Sequence, residues 1–183
     1  MSVTLEQLLQ SRDNRAQHQK DLLGAHPGKS LLCLTVQLPG PEKRNACSLA
    51  VARAGVEAIR AAFSAEYEEL RDLETGYEAY FLVGLPPADA KRLACRIEDT
   101  HPLGRLMDID VLSTFSAQNV DGMPNNPVAS TKTAQIVDRA AMGLPPRRCL
   151  LCGNPARYCM RARTHTRQEL LDKIEQMVTE YGI

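Results

Sequence analysis

The spacing of apolar residues predicts helices and strands that alternate along the chain. Apolar positions recur with helical spacing over residues 4–23 and 44–63, and the first segment opens with the capping-box sequence Thr4-Leu5-Glu6-Gln7. A run of branched apolar residues over 31–38, ended by Pro39-Gly40-Pro41, predicts a buried strand and a turn. Further strands are predicted at 77–84, 106–112 and 134–137, and further helices at 86–99 and 166–181.

This order of elements predicts an α+β fold in which a mixed β-sheet is covered by helices. In the first helix, Leu5, Leu8 and Leu9 begin an apolar stripe that Leu22 and Leu23 complete. The stripe therefore predicts one helix over residues 4–23, with polar residues on its other face.

The strand at 106–112 has one polar side and one apolar side. At period two, its side chains divide into Leu106, Asp108 and Asp110 on one side and Met107, Ile109 and Val111 on the other. Residues two apart on a strand lie about 6.6 Å apart, so both carboxylates can reach one divalent cation. Mg²⁺ prefers oxygen ligands together with substrate phosphates. A solvated edge strand with two surface aspartates is the alternative interpretation.

The residues just before this strand suit an anionic ligand. Pro102 favours a turn, Gly104 permits close approach to the backbone, and Arg105 supplies a cation suited to phosphate.

Cysteine and histidine are spaced as zinc ligands near the C-terminus. The pattern is Cys149-x2-Cys152-x6-Cys159-x5-His165, and a Cys-x2-Cys pair is the usual half of a structural tetrahedral site. With four protein ligands such a zinc ion is structural, because no position is left for water. Free thiols packed among apolar neighbours are the alternative.

Arginines crowd the same segment. The cluster consists of Arg147, Arg148, Arg157, Arg161, Arg163 and Arg167. No acidic residue interrupts it before Glu169, so it favours recognition of several phosphates over a solvated basic loop. Arg12 and Arg15, on the polar face of the first helix, are either solvated or reach a bound phosphate.

Composition limits the partners of the protein. The 183 residues carry 22 Lys+Arg and 22 Asp+Glu, so no overall field attracts nucleic acid or a membrane. The absence of a long apolar run and of a signal-peptide pattern predicts a cytoplasmic protein without membrane contact. Six cysteines in that compartment are reduced thiols or metal ligands.

Three motifs together resemble one known family. They are Leu-Leu-x-x-Arg12-Asp13-x-Arg15, His101-Pro-Leu-Gly-Arg-Leu-x-Asp-Ile-Asp-Val, and Leu-Pro-Pro-Arg-Arg-Cys-Leu-Leu-Cys152 with the following Cys159, Arg161 and His165. The chain is similar to apo-citrate lyase phosphoribosyl-dephospho-CoA transferases, also called citrate lyase holo-acyl-carrier-protein synthases. The similarity predicts a single transferase domain over 1–183, in which 144–183 forms an Arg/Cys-rich segment and a C-terminal helix.

The resemblance implies transfer of a prosthetic group from 2'-(5''-triphosphoribosyl)-3'-dephospho-CoA to a serine of the apo acyl carrier subunit of citrate lyase, with release of diphosphate. By analogy with nucleotidyltransferases, the core is nucleotidyltransferase-like, and Asp108 and Asp110 hold Mg²⁺ against the phosphates. Glu98, His101 or one of the aspartates is the general base.

If the chain is such a transferase, the predicted substrate-binding residues are Gly104, Arg105, Arg147, Arg148, Arg161, Arg12 and Arg15.

Two other functions remain open from the sequence. One is a zinc-knuckle module that binds RNA or an acidic protein, which the aromatic content of 4% and the neutral charge disfavour. The other is a related transferase that loads the malonate decarboxylase carrier.

Residues 116–130 lack apolar periodicity, which predicts a loop over a site.

Overall fold

The computed structural model describes residues 3–115 and 133–182, which form five α-helices and five β-strands. The helices are α1 Leu5–Ala25, α2 Ala46–Ala62, α3 Pro87–Thr100, α4 Ala156–Ala162 and α5 Arg167–Tyr181. The strands are β1 Ser30–Val36, β2 Ala65–Leu73, β3 Gly76–Val83, β4 Met107–Phe115 and β5 Thr133–Ile136. Short 3₁₀ helices cover Gly104–Leu106 and Ala140–Met142. The predicted loop at 116–130 lies outside the described residues.

The five strands form one sheet in the order β2-β3-β1-β4-β5. Every strand pair among the described residues is antiparallel, so the predicted α+β class is confirmed but the sheet is not mixed. The reason is that β2 and β3 form a hairpin, and the longer connections return β1 and β4 as antiparallel neighbours. The nucleotidyltransferase-like form of the core stays a prediction.

Apolar residues cover both faces of the sheet. On one face, alternate residues of β1, β3 and β4, including Leu34, Phe81 and Ile109, pack against α2, α3 and α5 in the larger core. On the other face, a smaller cluster includes Cys33 and Tyr80 and packs against the end of α1. The period-two prediction for β4 therefore holds for its buried side.

Helix α1 buries apolar residues against the sheet only near its C-terminal end. The predicted capping box at Thr4 is present, and Leu22 and Leu23 are buried. Leu5 and Leu9, however, are exposed, so the predicted apolar stripe does not extend along the helix. Farther toward its N-terminus the helix contacts the sheet through polar side chains, as where Arg15 pairs with Glu78 of β3.

Three local features differ from the sequence prediction. Leu106 is buried at the end of a 3₁₀ helix and does not share the polar side of β4, because the strand begins only at Met107. Strand β2 was not predicted, since it lies at the sheet edge, has no buried residue and lacks apolar alternation. The seven-residue helix α4 was also missed.

No helix among the described residues is long and apolar enough to cross a membrane.

Candidate active site

The candidate site lies along the edge of β4. β5 pairs with β4 only from Leu112 onward, which leaves the earlier part of the strand without a neighbouring strand on that side. Side chains of α3 take that place: the N–H of Ile109 donates to Glu98 Oε1 at 2.8 Å, and Lys91 Nζ donates to the Ile109 carbonyl at 2.9 Å. Both α3 side chains are buried. The backbone of β4 is thus satisfied, and a positive and a negative group are held beside it.

The two aspartates of β4 lie beside this edge. Asp108 and Asp110 stand opposite Thr35 and Cys33 of β1, on the sheet face toward α1. Burial raises the pKa of Asp110 above its usual range, and the negative charge of Asp108 raises it further. No side chain of residues 3–115 or 133–182 donates a hydrogen bond to Asp110. The pair therefore concentrates negative charge that a cation would relieve.

Arg147 connects the aspartates to the turn before β4. Its Nη1 donates to Asp108 Oδ1 at 3.1 Å, and its Nη2 donates to the Met107 carbonyl at 2.5 Å. Gln37 donates to the other oxygen of Asp108 at 2.8 Å. The Nε of Arg147 is buried and has no hydrogen-bond partner within the described part of the chain. Arg147 is therefore held in place by its outer nitrogens.

Two cavities meet at Arg147. The first, here called the arginine cavity, has a volume of about 760 Å³, and its walls carry four guanidinium groups. These belong to Arg105, Arg147, Arg163 and Arg167. The second, the carboxylate cavity, has a volume of about 580 Å³. Its charged walls include Lys91, Glu98, Asp108, Asp110, Arg139 and Arg147.

The arginine cavity combines positive charge with apolar surface. Leu38, Leu150 and Leu170 line it together with the four arginines. The pKa of Arg105 is lowered by burial first and by the nearby charge of Arg147 second. Crowded guanidinium groups of this kind favour an anionic ligand, and the apolar walls suit a ligand with a large organic part.

Of the other predicted phosphate-binding arginines, Arg157 lines the carboxylate cavity, and the rest line neither cavity. Arg148, although adjacent to Arg147, is exposed and meets Pro155 through its backbone. Arg161 and Arg12 are also exposed. Arg15 donates from α1 to the buried Glu78 at 3.2 Å. The structure thus divides the predicted set, because neighbours on one helix or strand point in different directions.

Gly104 and His101 support the turn before β4. A Cβ at position 104 would lie 2.5 Å from the Ile97 carbonyl oxygen and 2.6 Å from that of Glu98. The close approach that glycine permits is therefore to the end of α3. His101 Nδ1 accepts from the Leu103 N–H at 3.0 Å, and Nε2 lies 3.3 Å from the Tyr181 hydroxyl. His101 lines neither cavity, and burial lowers its pKa.

Glu98 is fully engaged by its neighbours. Besides the Ile109 N–H, its carboxylate accepts from Arg139 at 3.3 Å, and Arg147 lies 4.0 Å away. Burial nevertheless raises its pKa, because desolvation outweighs these contacts. Its geometry is that of a residue that positions β4 and the arginines.

The aspartate pair fits a divalent cation. Its oxygens are hard ligands, Asp110 has no hydrogen-bond donor among the described side chains, and both residues line an open cavity. Hydrogen bonds from Arg147 and Gln37 fix the orientation of the Asp108 carboxylate.

The predicted cysteine and histidine ligands lie together. The ligand atoms of Cys149, Cys152, Cys159 and His165 are all within 4.8 Å of one another. Burial opposes ionisation of Cys149, but hydrogen bonds from the Leu151 and Cys152 N–H groups lower its pKa to about 7. Among the described residues this is the only cluster of three or more potential metal ligands.

The sequence patterns do not predict several of the residues that line the two cavities. Lys91 and Arg139 line the carboxylate cavity, and Gln37 lines the arginine cavity. Lys91 and Glu98 are seven residues apart and so share one face of α3, which is the one local signal that pairs them. Arg139 gives no such signal, because its partners Glu98 and Asp99 lie about forty residues earlier.

Comparison with known proteins identifies a family that spans the chain. The family model described as apo-citrate lyase phosphoribosyl-dephospho-CoA transferase matches residues 3–122 and 128–181. A protein of Vibrio cholerae strain M66-2, named probable apo-citrate lyase phosphoribosyl-dephospho-CoA transferase, is 37% identical over 100% of this chain and 95% of its own length. A Streptococcus pyogenes protein with the same name is 32% identical over 98% of this chain and 88% of its own. The apo-citrate lyase phosphoribosyl-dephospho-CoA transferase of Escherichia coli O157:H7 is 33% identical, with coverage of 98% and 90%.

Proposed function

This chain belongs to the apo-citrate lyase phosphoribosyl-dephospho-CoA transferase family, and we propose that it attaches the phosphoribosyl-dephospho-CoA group to apo-citrate lyase. In detail, the donor is 2'-(5''-triphosphoribosyl)-3'-dephospho-CoA, the acceptor is a serine of the acyl carrier subunit, and the second product is diphosphate. Membership over the whole chain supports the reaction class, and the two cavities support the roles of particular residues.

The observation that carries the proposal is the position of Arg147. This one side chain lines both cavities and donates to Asp108. A triphosphate that extends from the arginine cavity past Arg147 reaches the aspartate pair. The apolar walls of the arginine cavity suit the organic part of the donor, and its guanidinium groups suit the phosphates.

The proposed reaction is a phosphoryl-group transfer. The serine oxygen forms a bond to the α-phosphorus, the anhydride bond between the α- and β-phosphates breaks, and diphosphate leaves with that electron pair. The hydroxyl proton passes to a base. Catalysis of such a transfer depends mostly on positioning and on stabilisation of the charge on the phosphate oxygens.

Each part of the site has a role in this transfer. Arg147 and Arg105 neutralise phosphate oxygens, and Lys91 and Glu98 hold β4 in place through Ile109. Mg²⁺ bound by Asp108 and Asp110 would neutralise charge on the α-phosphate and on the leaving diphosphate.

Asp110 is the best location for the base among the predicted candidates. Both oxygens of Glu98 and both oxygens of Asp108 accept hydrogen bonds, and His101 lies outside both cavities. Asp110 accepts no hydrogen bond from the described side chains, so one of its oxygens would bind Mg²⁺ while the other takes the hydroxyl proton.

The test is transfer to the carrier measured by mass spectrometry. Purified protein is mixed with the donor, Mg²⁺ and the apo acyl carrier subunit, and we expect the carrier to gain the mass of the phosphoribosyl-dephospho-CoA group as an equal amount of diphosphate forms. A carrier whose acceptor serine is replaced by alanine should stay unmodified. Faster loading of the malonate decarboxylase carrier would instead assign the related activity.

Matched variants test the aspartates. Asp108→Asn and Asp110→Asn should each abolish transfer while the fold is retained, whereas Asp89→Asn, at an exposed residue of α3, should behave as wild type. Near-normal turnover by either β4 variant at saturating Mg²⁺ would remove the site from this strand.

A further inference from the structure

The C-terminal segment of this protein folds with almost no apolar core of its own. Between Val137 and Ile174 the only buried residue is Cys159. Yet the segment contains α4, the start of α5 and a short ribbon in which Cys149 N–H donates to the Asn154 carbonyl at 2.7 Å. The ion pairs of Arg139 and Arg147 tie the segment to α3 and to the sheet, but a segment that buries so little apolar surface usually needs a disulfide or a metal ion to fix its own fold. The six cysteines are free, so a disulfide does not hold it.

We propose that Cys149, Cys152, Cys159 and His165 bind one structural Zn²⁺ ion that holds this segment together. The four ligand atoms are within 4.8 Å of one another, with 3.5 Å between the sulfurs of Cys152 and Cys159. His165 Nε2 lies 3.4 Å from the Cys152 sulfur. Ligands about 2.3 Å from a tetrahedral zinc ion lie roughly 3.8 Å apart, so these distances match a Cys₃His site.

The backbone around the ligands has the form that a zinc site requires. The Cys149 N–H donates to the Asn154 carbonyl at 2.7 Å and the Ala156 N–H donates to the Arg147 carbonyl at 2.8 Å, so the Cys-x2-Cys pair lies in the loop that this short ribbon closes. At the other pair, the chain reverses after α4, where the Thr164 N–H donates to the Cys159 carbonyl. Arg163 takes a left-handed conformation there, with φ of 50°. This reversal brings His165 back to the three sulfurs.

The zinc ion would join three parts of the chain. The turn at Cys149 and Cys152, the buried face of α4 at Cys159, and the residue before the N-cap of α5 would share one centre. Three of the ligands, Cys149, Cys159 and His165, also line the arginine cavity. The metal would therefore hold one wall of that cavity, with no catalytic role, because four protein ligands leave no open position. This inference does not depend on the proposed transfer reaction.

Metal content and spectroscopy test the site. Protein purified without chelators or a histidine tag should contain about one zinc per chain by mass spectrometry of the metal. Replacement by Co²⁺ should give the absorption of a tetrahedral ion together with thiolate-to-metal charge transfer. Cys152→Ser and His165→Ala should lose the zinc, whereas Cys47→Ser, at a half-buried thiol outside the cluster, should keep it.

Hydrogen exchange tests the structural role. Removal of zinc from the wild-type protein should abolish protection in residues 147–167 and leave the sheet protected, and added Zn²⁺ should restore it. Wild-type protein that binds neither Zn²⁺ nor Co²⁺ would overturn the proposal, even where a ligand variant fails to fold. A full complement of zinc in Cys152→Ser, or unchanged exchange after zinc removal, would overturn it as well.

Discussion

Arg147 and Arg148 are adjacent arginines for which the structure predicts opposite consequences of the same substitution. Arg147 is directed inward, donates to Asp108 and to the Met107 carbonyl, and lines both cavities. Arg148 is exposed and its side chain lines neither. Alanine at position 147 therefore removes the side chain that lines both cavities, while alanine at position 148 removes a solvated side chain.

The size of the effect follows from the contacts. A hydrogen bond to a charged group contributes roughly 1.5–3 kcal/mol. Arg147 makes two such bonds, and the one to Asp108 contributes less because Asp108 is partly exposed to solvent. Arg147→Ala should therefore lower the free energy of unfolding by about 2–4 kcal/mol, which corresponds to a fall in Tm of roughly 5–15 °C for a chain of this length. Loss of a phosphate contact of the same strength should lower kcat/KM for the donor by about 10- to 100-fold.

The assay varies the donor concentration at saturating carrier and records thermal unfolding of the same preparations. Arg148→Ala should remain within about 0.5 kcal/mol of wild type and keep the KM for the donor. Arg147→Lys should recover part of the activity, because lysine restores the charge but not the two-pronged geometry. Equal losses in the two alanine variants, or a loss confined to the KM for the carrier, would refute the assignment of Arg147 to the donor.

Three further predictions concern the rest of the site. Asp110→Asn should lower kcat/KM at least about 100-fold, yet raise the Tm of chelator-treated protein at pH 7. The reason is that the folded state raises the pKa of Asp110. This carboxyl therefore contributes stability that is complete below its unfolded pKa of about 4 and is lost as pH rises through its folded pKa. Scanning calorimetry should show that the difference in Tm between the variant and wild type vanishes at low pH. Gly104→Ala should lower the free energy of unfolding in denaturant by about 2–3 kcal/mol, because a Cβ would meet two backbone carbonyls of α3, whereas Gly24→Ala meets no atom within 4 Å and should be neutral or stabilising. Arg163→Ala should raise the KM for the donor more than Arg161→Ala does, since only Arg163 lines the arginine cavity.

Local patterns were sufficient to predict much of the architecture. The capping box at Thr4 forms as predicted, because it involves residues only three positions apart, and α5 begins one residue after the predicted start at Thr166. The buried side of β4 follows from its period of two, and the spacing of the cysteines and His165 anticipates the cluster that the fold forms. The same motifs also indicated the family, which the comparisons confirm.

Tertiary structure decided which of these residues share a site. No local pattern separates Arg147 from Arg148, because the direction of each side chain depends on a strand about forty residues earlier. The edge strand β2 escaped prediction because pairing with β3, and not apolar burial, stabilises it.

The carboxylate cavity likewise exists only because β5 stops short on β4 and α3 places Lys91 and Glu98 along the open edge. Sequence patterns predicted most of the elements and the chemistry that they carry, since those depend on neighbours within a few residues. The grouping of that chemistry into two cavities that meet at one arginine depends on contacts between distant segments, and only the packed fold determines those.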